Sequence, residues 1–192
     1  HKYCIPEMAE YNDIRLYNII NNNVTFNKVL IPDFPGVDTT IIFHNSRVWL
    51  LTSHNDEPGS LYIFHADSLL DEFKPHDMNP IYKDNPIARN GGGILKVNEC
   101  FYRPVQSCVN SYGEALVIKK IVSLSVDDYL EEDCFKIIPQ LPFSDGIHTL
   151  NYQGGKFLVD GCSSRFLLTN PIRKILKIIN IKLKTRARNL DF

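Results

Sequence analysis

A three-line pattern recurs, degenerately, about every 50–60 residues along this chain. Its first line passes from polar to apolar: Val37-Asp38-Thr39-Thr40-Ile41-Ile42-Phe43, then Ala88-Arg89-Asn90-Gly91-Gly92-Gly93-Ile94-Leu95, then Gly146-Ile147-His148-Thr149-Leu150-Asn151-Tyr152. A tight polar turn follows each, at His44-Asn45-Ser46, Asn98-Glu99 and Gln153-Gly154-Gly155. The second line is rich in aromatic and branched residues: Arg47 to Thr52, Cys100 to Gln106, and Lys156 to Gly161. The third is Ser60 to Ala66 and Glu114 to Lys120. Short strands repeating at that spacing predict an all-β chain of β-propeller type, one blade per repeat. Such a fold places functional side chains on its innermost strands, around a central channel. The first line is therefore where a site is expected.

The chain opens inside a blade. Tyr3-Cys4-Ile5-Pro6-Glu7 fits the second line, Ile14 to Ile19 the third, and Thr25 to Leu30 an outer strand. Two fuller blades span about Val37 to Asn79 and Ala88 to Ile138, and a last hairpin runs from Gly146 to Gly161. These make roughly three and a half blades, and a propeller needs at least about four to cover its strand edges. The expectation is that an N-terminal portion of a five-bladed ring is missing, giving a partial propeller domain over 1–165. Beyond it the pattern changes. Asn170-Pro171 followed by Ile172, Ile175, Leu176, Ile179 and Leu183 predicts a helix over 170–188. Basic residues (Arg173, Lys174, Lys177, Lys182, Lys184, Arg186, Arg188) interleave with that stripe, and no acid does. The helix suits either docking on the propeller or peripheral contact with an anionic membrane surface.

Composition narrows the class. With 44% hydrophobic residues and 22% charged ones, 192 residues suffice for one domain with a real core. A formal net charge of -1 argues against nucleic acid as the partner. No apolar run reaches the roughly 18–20 residues of a membrane-spanning helix. The chain starts at His1 with no legible signal peptide, so a missing or processed start is expected. Its cysteines, Cys4, Cys100, Cys108, Cys134 and Cys162, are odd in number and irregularly spaced. They predict free thiols in a reducing, cytoplasmic setting, with membrane contact left to the basic helix. Neither they nor His44, His54, His65 and His76 have metal-ligand spacing, and no cofactor motif is legible.

The order of motifs carries a resemblance. Pro6-Glu7, Val37-Asp38-Thr39 with Val48-Trp49-Leu50, Ala88-Arg89, Tyr102-Arg103-Pro104-Val105-Gln106, Tyr112-Gly113, His148-Thr149-Leu150-Asn151 and Val159-Asp160-Gly161 follow one another. This series resembles the N-terminal domain of glucosamine inositolphosphorylceramide transferases and their bacterial relatives, from about Tyr3 to Gly161. That domain is similar to the five-bladed propellers of the arabinanase, levansucrase and invertase superfamily, which includes glycoside hydrolase family 43. The resemblance implies a carbohydrate-binding or carbohydrate-processing domain linked to glycoconjugate or polysaccharide assembly. Two departures limit it. The opening blade, where the related hydrolases carry their first catalytic Asp, is absent, and 107–108 reads Ser-Cys where an acid followed by a small residue is expected. In the plant proteins transferase chemistry belongs to a separate domain, so further domains of a longer chain are expected partners.

Candidate residues follow from both lines of reasoning. Glycoside hydrolysis needs two carboxyl groups flanking the bond, and Asp38 and Glu7 are the pair that fit the motifs. Arg89, Arg103, Gln106, His148 and Asp160 form the candidate binding set for a glycan or sugar-phosphate: amides and carboxylates for hydroxyls, an Arg fork for acidic groups. Five of them have a plainer reading. Asp38 suits a blade-connecting turn, Glu7 a strand-end surface acid, Arg89 and Arg103 blade ties through backbone carbonyls, and His148 a core histidine. Gly91-Gly92-Gly93 lacks the Lys-Ser/Thr and helix of a phosphate loop and predicts close inter-strand packing. The competing functions are a sugar-binding domain, a non-catalytic scaffold of a glycosyltransferase-type protein, and a hydrolase fragment. The binding-module reading gains over hydrolysis if Asp38 and Glu7 point apart or pair with Arg89 and Arg103.

Overall fold

The computed structural model describes residues 2–163; the expected helix over 170–188 and the boundary at 165 lie outside them. Within them the chain is all-β, apart from a short 3-10 turn at Ala9–Tyr11. The first sheet holds β1 (Lys2–Cys4), β2 (Ile14–Ile20) and β3 (Asn23–Ile31). The second holds β4 (Gly36–His44), β5 (Arg47–His54), β6 (Tyr62–Ala66) and β7 (Lys74–Pro75). The third holds β8 (Leu95–Val97), β9 (Cys100–Ser107), β10 (Ala115–Leu124) and β11 (Tyr129–Ile137), and the fourth is the hairpin β12 (Leu150–Gln153) with β13 (Lys156–Val159). Every neighbouring pair of strands is antiparallel.

Strand β5 shows why the sheets stack. A half-buried strand alternates apolar and polar residues, whereas Val48-Trp49-Leu50-Leu51 is apolar throughout. Because successive side chains point to opposite faces, this strand must be covered on both. Val48 and Leu50 pack with Ile14, Leu16, Leu30 and Ile31 of the first sheet. Trp49 and Leu51 pack with Ile121, Leu124 and Tyr129 of the third. A third cluster, Leu116, Ile118, Ile147 and Leu150, joins the third sheet to the fourth. The core thus lies in layers between consecutive sheets, face to face. Among the described residues the series does not close on itself, so the structure establishes the all-β class and the sequence of sheets.

Some sequence expectations change. Of the aromatic residues on the second and third lines, Trp49 is 1% exposed, whereas Tyr62 and Phe101 are only partly buried. The strand expected over Ala88 to Leu95 is reduced to single bridges, Asn90 with Val105 and Gly92 with Leu150. The reason is packing. Gly92 has φ +118, and a Cβ there would lie 2.1 Å from the Leu150 carbonyl oxygen. The run brings the third and fourth sheets into backbone contact, where Gly91 accepts the Leu150 N–H at 2.7 Å.

Candidate functional site

Strand β4 is distorted at the residue that matters. Its pairing with β5 shifts register between Val37 and Thr40, and Asp38 in that bulge has φ +50. A non-glycine residue there is held by its surroundings against a local preference, and a bulge re-aims the side chain. The surroundings are specific. Glu7 accepts the Asp38 N–H through Oε2 at 3.1 Å. Asn90 donates to the Asp38 carbonyl at 2.9 Å and to the Leu51 carbonyl at 2.8 Å. The Asp38 carboxylate in turn receives Arg89 Nε in a short ion pair and Gln106 Nε2 at 3.4 Å.

Arg89 uses only Nε on Asp38; among the described residues its two terminal amino groups have no hydrogen-bond acceptor. About a third of its side chain is exposed (34%). Its guanidinium carbon lies 5.9 Å from the ring centre of Tyr112, which is 61% exposed. Tyr112 in turn lies 5.7 Å from the His148 ring. Gly113 (φ +65) lets this loop lie against His148, and its carbonyl accepts the Ile147 N–H at 2.8 Å. His148 Nδ1 pairs closely with Asp160, whose other oxygen accepts the backbone N–H groups of His148 and Thr149 at 3.0 and 2.7 Å. Glu7, Asp38, Arg89, Tyr112, His148 and Asp160 therefore form one polar track, drawn from β4, from the segments that follow β1 and β9 and precede β8, and from the two ends of the β12–β13 hairpin.

Electrostatics differ at its two ends. Burial pushes the Asp38 carboxyl above its usual range; Arg89 pulls the other way, and Glu7 adds to the upward push. Burial alone would lower Arg89, but the carboxylate beside it reverses the sign and holds its charge. Tyr112 is raised, chiefly by desolvation. Asp160 goes the other way. Burial works against its charge, and the two backbone N–H donors outweigh it, so its pKa lies below the ordinary value.

Arg103 leaves the ligand-facing set. It has no exposed surface, so no ligand reaches it in this fold. Its Nε and one terminal nitrogen donate to Glu131 at 2.8 and 2.6 Å, and the other nitrogen donates to the Ala88 carbonyl and Asn90 Oδ1 at 2.7 and 2.9 Å. It ties β9 and β11 to the segment that carries Arg89 and Asn90, so it supports the track from beneath. Gln106 is also fully buried; Nε2 donates to the Asn90 carbonyl at 2.7 Å, while Oε1 has no donor among the described residues. Asn90, Tyr112 and Glu131 escaped the sequence reading as site or support residues. Asn90 directly follows Arg89, and Glu131 alternates with Tyr129 on the buried face of β11, which is the signal that could have found it. Among the described residues no group of three or more His, Cys, Asp or Glu side chains could hold a metal ion.

A family model described as glucosamine inositolphosphorylceramide transferase 1, N-terminal, matches residues 1–140. A glucosamine inositolphosphorylceramide transferase 1 from Arabidopsis thaliana is 35% identical over 138 residues, covering 67% of this chain and 18% of its own length. The protein of the same description from Oryza sativa subsp. japonica is 33% identical over 138 residues, with the same two shares. The chain thus spans 18% of the length of these curated relatives. No solved structure matches it significantly. Glu7, Asp38, Arg89, Arg103, Gln106 and Tyr112 fall inside the matched stretch, whereas His148 and Asp160 lie past it. With well over half its length matched by that model, this chain belongs to the family of N-terminal domains of glucosamine inositolphosphorylceramide transferase 1.

Proposed function

We propose that this domain is a carbohydrate-binding module of a glycosyltransferase-type protein engaged in glycoconjugate assembly, and that the track from Glu7 to Asp160 is its glycan site. The observation that carries this reading is Asp38, held at positive φ in a bulge so that its carboxylate meets the partly exposed Arg89 guanidinium beside Tyr112. Strain of order 1–3 kcal/mol at one residue is retained where a side chain must point a particular way. Free guanidinium donors, carboxylate acceptors and an exposed aromatic face are what a hydroxyl-rich ring requires. Three carboxylates (Glu7, Asp38, Asp160) against one guanidinium and one imidazole favour a neutral glycan over a sugar-phosphate. Layered sheets with the polar track on inner segments support the five-bladed propeller of glycoside hydrolase family 43 type as the parent fold. The relatives' description, a glucosamine transferase acting on inositolphosphorylceramide, points to headgroup sugars of a sphingolipid as the biological ligand.

Binding is favoured over hydrolysis. A general acid and a nucleophile each need a carboxyl group free to act at the glycosidic bond. Asp38 is committed to Arg89, and Glu7 holds the Asp38 backbone. The test is titration of the folded chain with glucosamine, N-acetylglucosamine and myo-inositol, followed by backbone amide shifts. Shifts are expected at Arg89, Tyr112 and His148. Arg89→Ala, with its fold retained, should weaken binding about 10–100-fold, the worth of hydrogen bonds to a charged donor. Saturable binding that survives Arg89→Ala places the site elsewhere, and absence of binding to every sugar favours the scaffold reading.

A further inference from the structure

Beside the polar track lies a pocket of about 180 Å³. It opens between the second and third sheets, walled by the β5–β6 turn (His54, Glu57, Pro58), by Asn85 and Pro86, and by the Cys108–Tyr112 loop. Arg89 and Tyr112 belong to both pocket and track. The pocket is laid out by backbone, since a Cβ on Gly59 (φ +76) would lie 2.6 Å from the Asn85 backbone nitrogen, and the Asn85 N–H donates to the Gly59 carbonyl at 3.0 Å. The Cys108 N–H donates to the Pro86 carbonyl at 2.9 Å and fixes the opposite wall. Its polar groups are largely spoken for: Glu57 accepts the Tyr62 hydroxyl at 2.6 Å, His54 Nδ1 accepts the Asp56 N–H at 3.2 Å, and Asn85 Oδ1 accepts the Ile87 N–H at 3.0 Å. The donors that remain include the terminal nitrogens of Arg89, whose charge Asp38 offsets, together with the Asn85 side-chain amide and the Tyr112 hydroxyl.

The geometry points to a second subsite here: we propose that this pocket takes one neutral pyranose ring, adjacent to the unit held on the Asp38–Arg89 track. The inference rests on the glycan-binding reading above. Its volume leaves room for a single pyranose ring with its hydroxyls. Val37, Pro58 and Pro86 offer apolar contact to the ring's C–H faces, and the Arg89 fork offers donors to hydroxyl oxygens. A phosphate or sulfate would need more positive charge than Arg89 retains beside Asp38 and Glu7. The domain would then read two consecutive units of a glycan, with Arg89 and Tyr112 at the junction.

Cys108 supplies a reporter in the wall, partly exposed, while Cys134 on β11 is exposed and remote from the pocket lining. The experiment measures peptide-resolved iodoacetamide labelling of the folded chain in the presence of glucose, mannose, galactose and N-acetylglucosamine. At least one sugar is expected to slow Cys108 labelling three-fold or more and leave Cys134 unchanged. Cys108→Phe, which fills the pocket, should weaken that sugar's binding ten-fold or more without altering the amide shifts of His148 and Asp160. Sugar binding on the track, lost in Arg89→Ala, with Cys108 unprotected overturns the subsite and leaves the domain's sugar-binding role standing. Binding of no sugar by either measurement overturns both.

Discussion

Replacing Arg103 by Ala tests whether the site rests on a buried ionic tie. The side chain is inaccessible to solvent and makes four hydrogen bonds, two of them to a Glu131 carboxylate that is itself without exposed surface. Removing it strands that carboxylate with the Tyr129 hydroxyl at 2.7 Å and Lys119 at 3.6 Å, and leaves the Ala88 carbonyl and Asn90 Oδ1 without this donor. Breaking one half of a buried pair costs about 3–5 kcal/mol. Since Lys119 and Tyr129 still face Glu131, the lower end, about 3 kcal/mol, is expected. Against a total stability of about 5–15 kcal/mol, the variant should fold but be much weakened. In urea, with a slope of about 2 kcal/mol per molar, the midpoint should fall by about 1.5 M. The double replacement Arg103→Met with Glu131→Leu removes both charges and should recover most of the loss, because the stranded carboxylate dominates it. A single-variant loss below about 1 kcal/mol, or a double variant as weak as the sum of the singles, would refute the reasoning.

Asp38→Asn should keep the melting temperature within a few degrees, because Asn tolerates positive φ, whereas Asp38→Val should lose about 1–3 kcal/mol from a β-branched residue forced into that region; equal stability of the two variants in thermal melts would contradict the strain. Gly92→Ala should be strongly destabilising and should expose Leu150 and Gly91 amides to hydrogen exchange, since the added Cβ collides with Leu150 backbone at 2.1 Å; unchanged exchange there would show that the sheets do not meet at this point. His65 is buried, its Nδ1 3.2 Å from Arg47, and burial first, then Arg47 and the nearby His76 and Lys74, hold its pKa below 6.5 against Asp77. The unfolded chain therefore takes up its proton first, so this group's contribution is present above about pH 6.5 and is lost as pH falls below it. Urea midpoints measured across that window should decline toward acid, and His65→Gln should flatten the decline.

The strands were legible because their signal is local. In β5, four successive apolar residues dictate burial on both faces, and that alone places a sheet on either side. The site was legible only in part, since its residue types could be named from the first and second lines but their partners could not. Arg89 and Arg103 look alike in sequence, each in a strand-like run among small and aromatic residues. What separates them is Glu131, 28 residues past Arg103, whose buried carboxylate takes one edge of the fork while Ala88 and Asn90 take the other nitrogen. Arg89 meets Asp38, 51 residues before it, with one nitrogen only and keeps the rest of its fork outward. Pairing across that distance depends on sheet order and register, which no local pattern specifies. The two arginines thus divide the labour. Arg103 fixes the segment Ala88–Asn90 to the third sheet from below, and that anchoring allows Arg89, on the same segment, to stand partly exposed beside a strained Asp38. If the tie is cut, the first loss should be the geometry at Arg89 and not the fold of the sheets. Sugar binding should therefore fall in Arg103→Ala at temperatures where the variant is still folded, through a residue no sugar can touch.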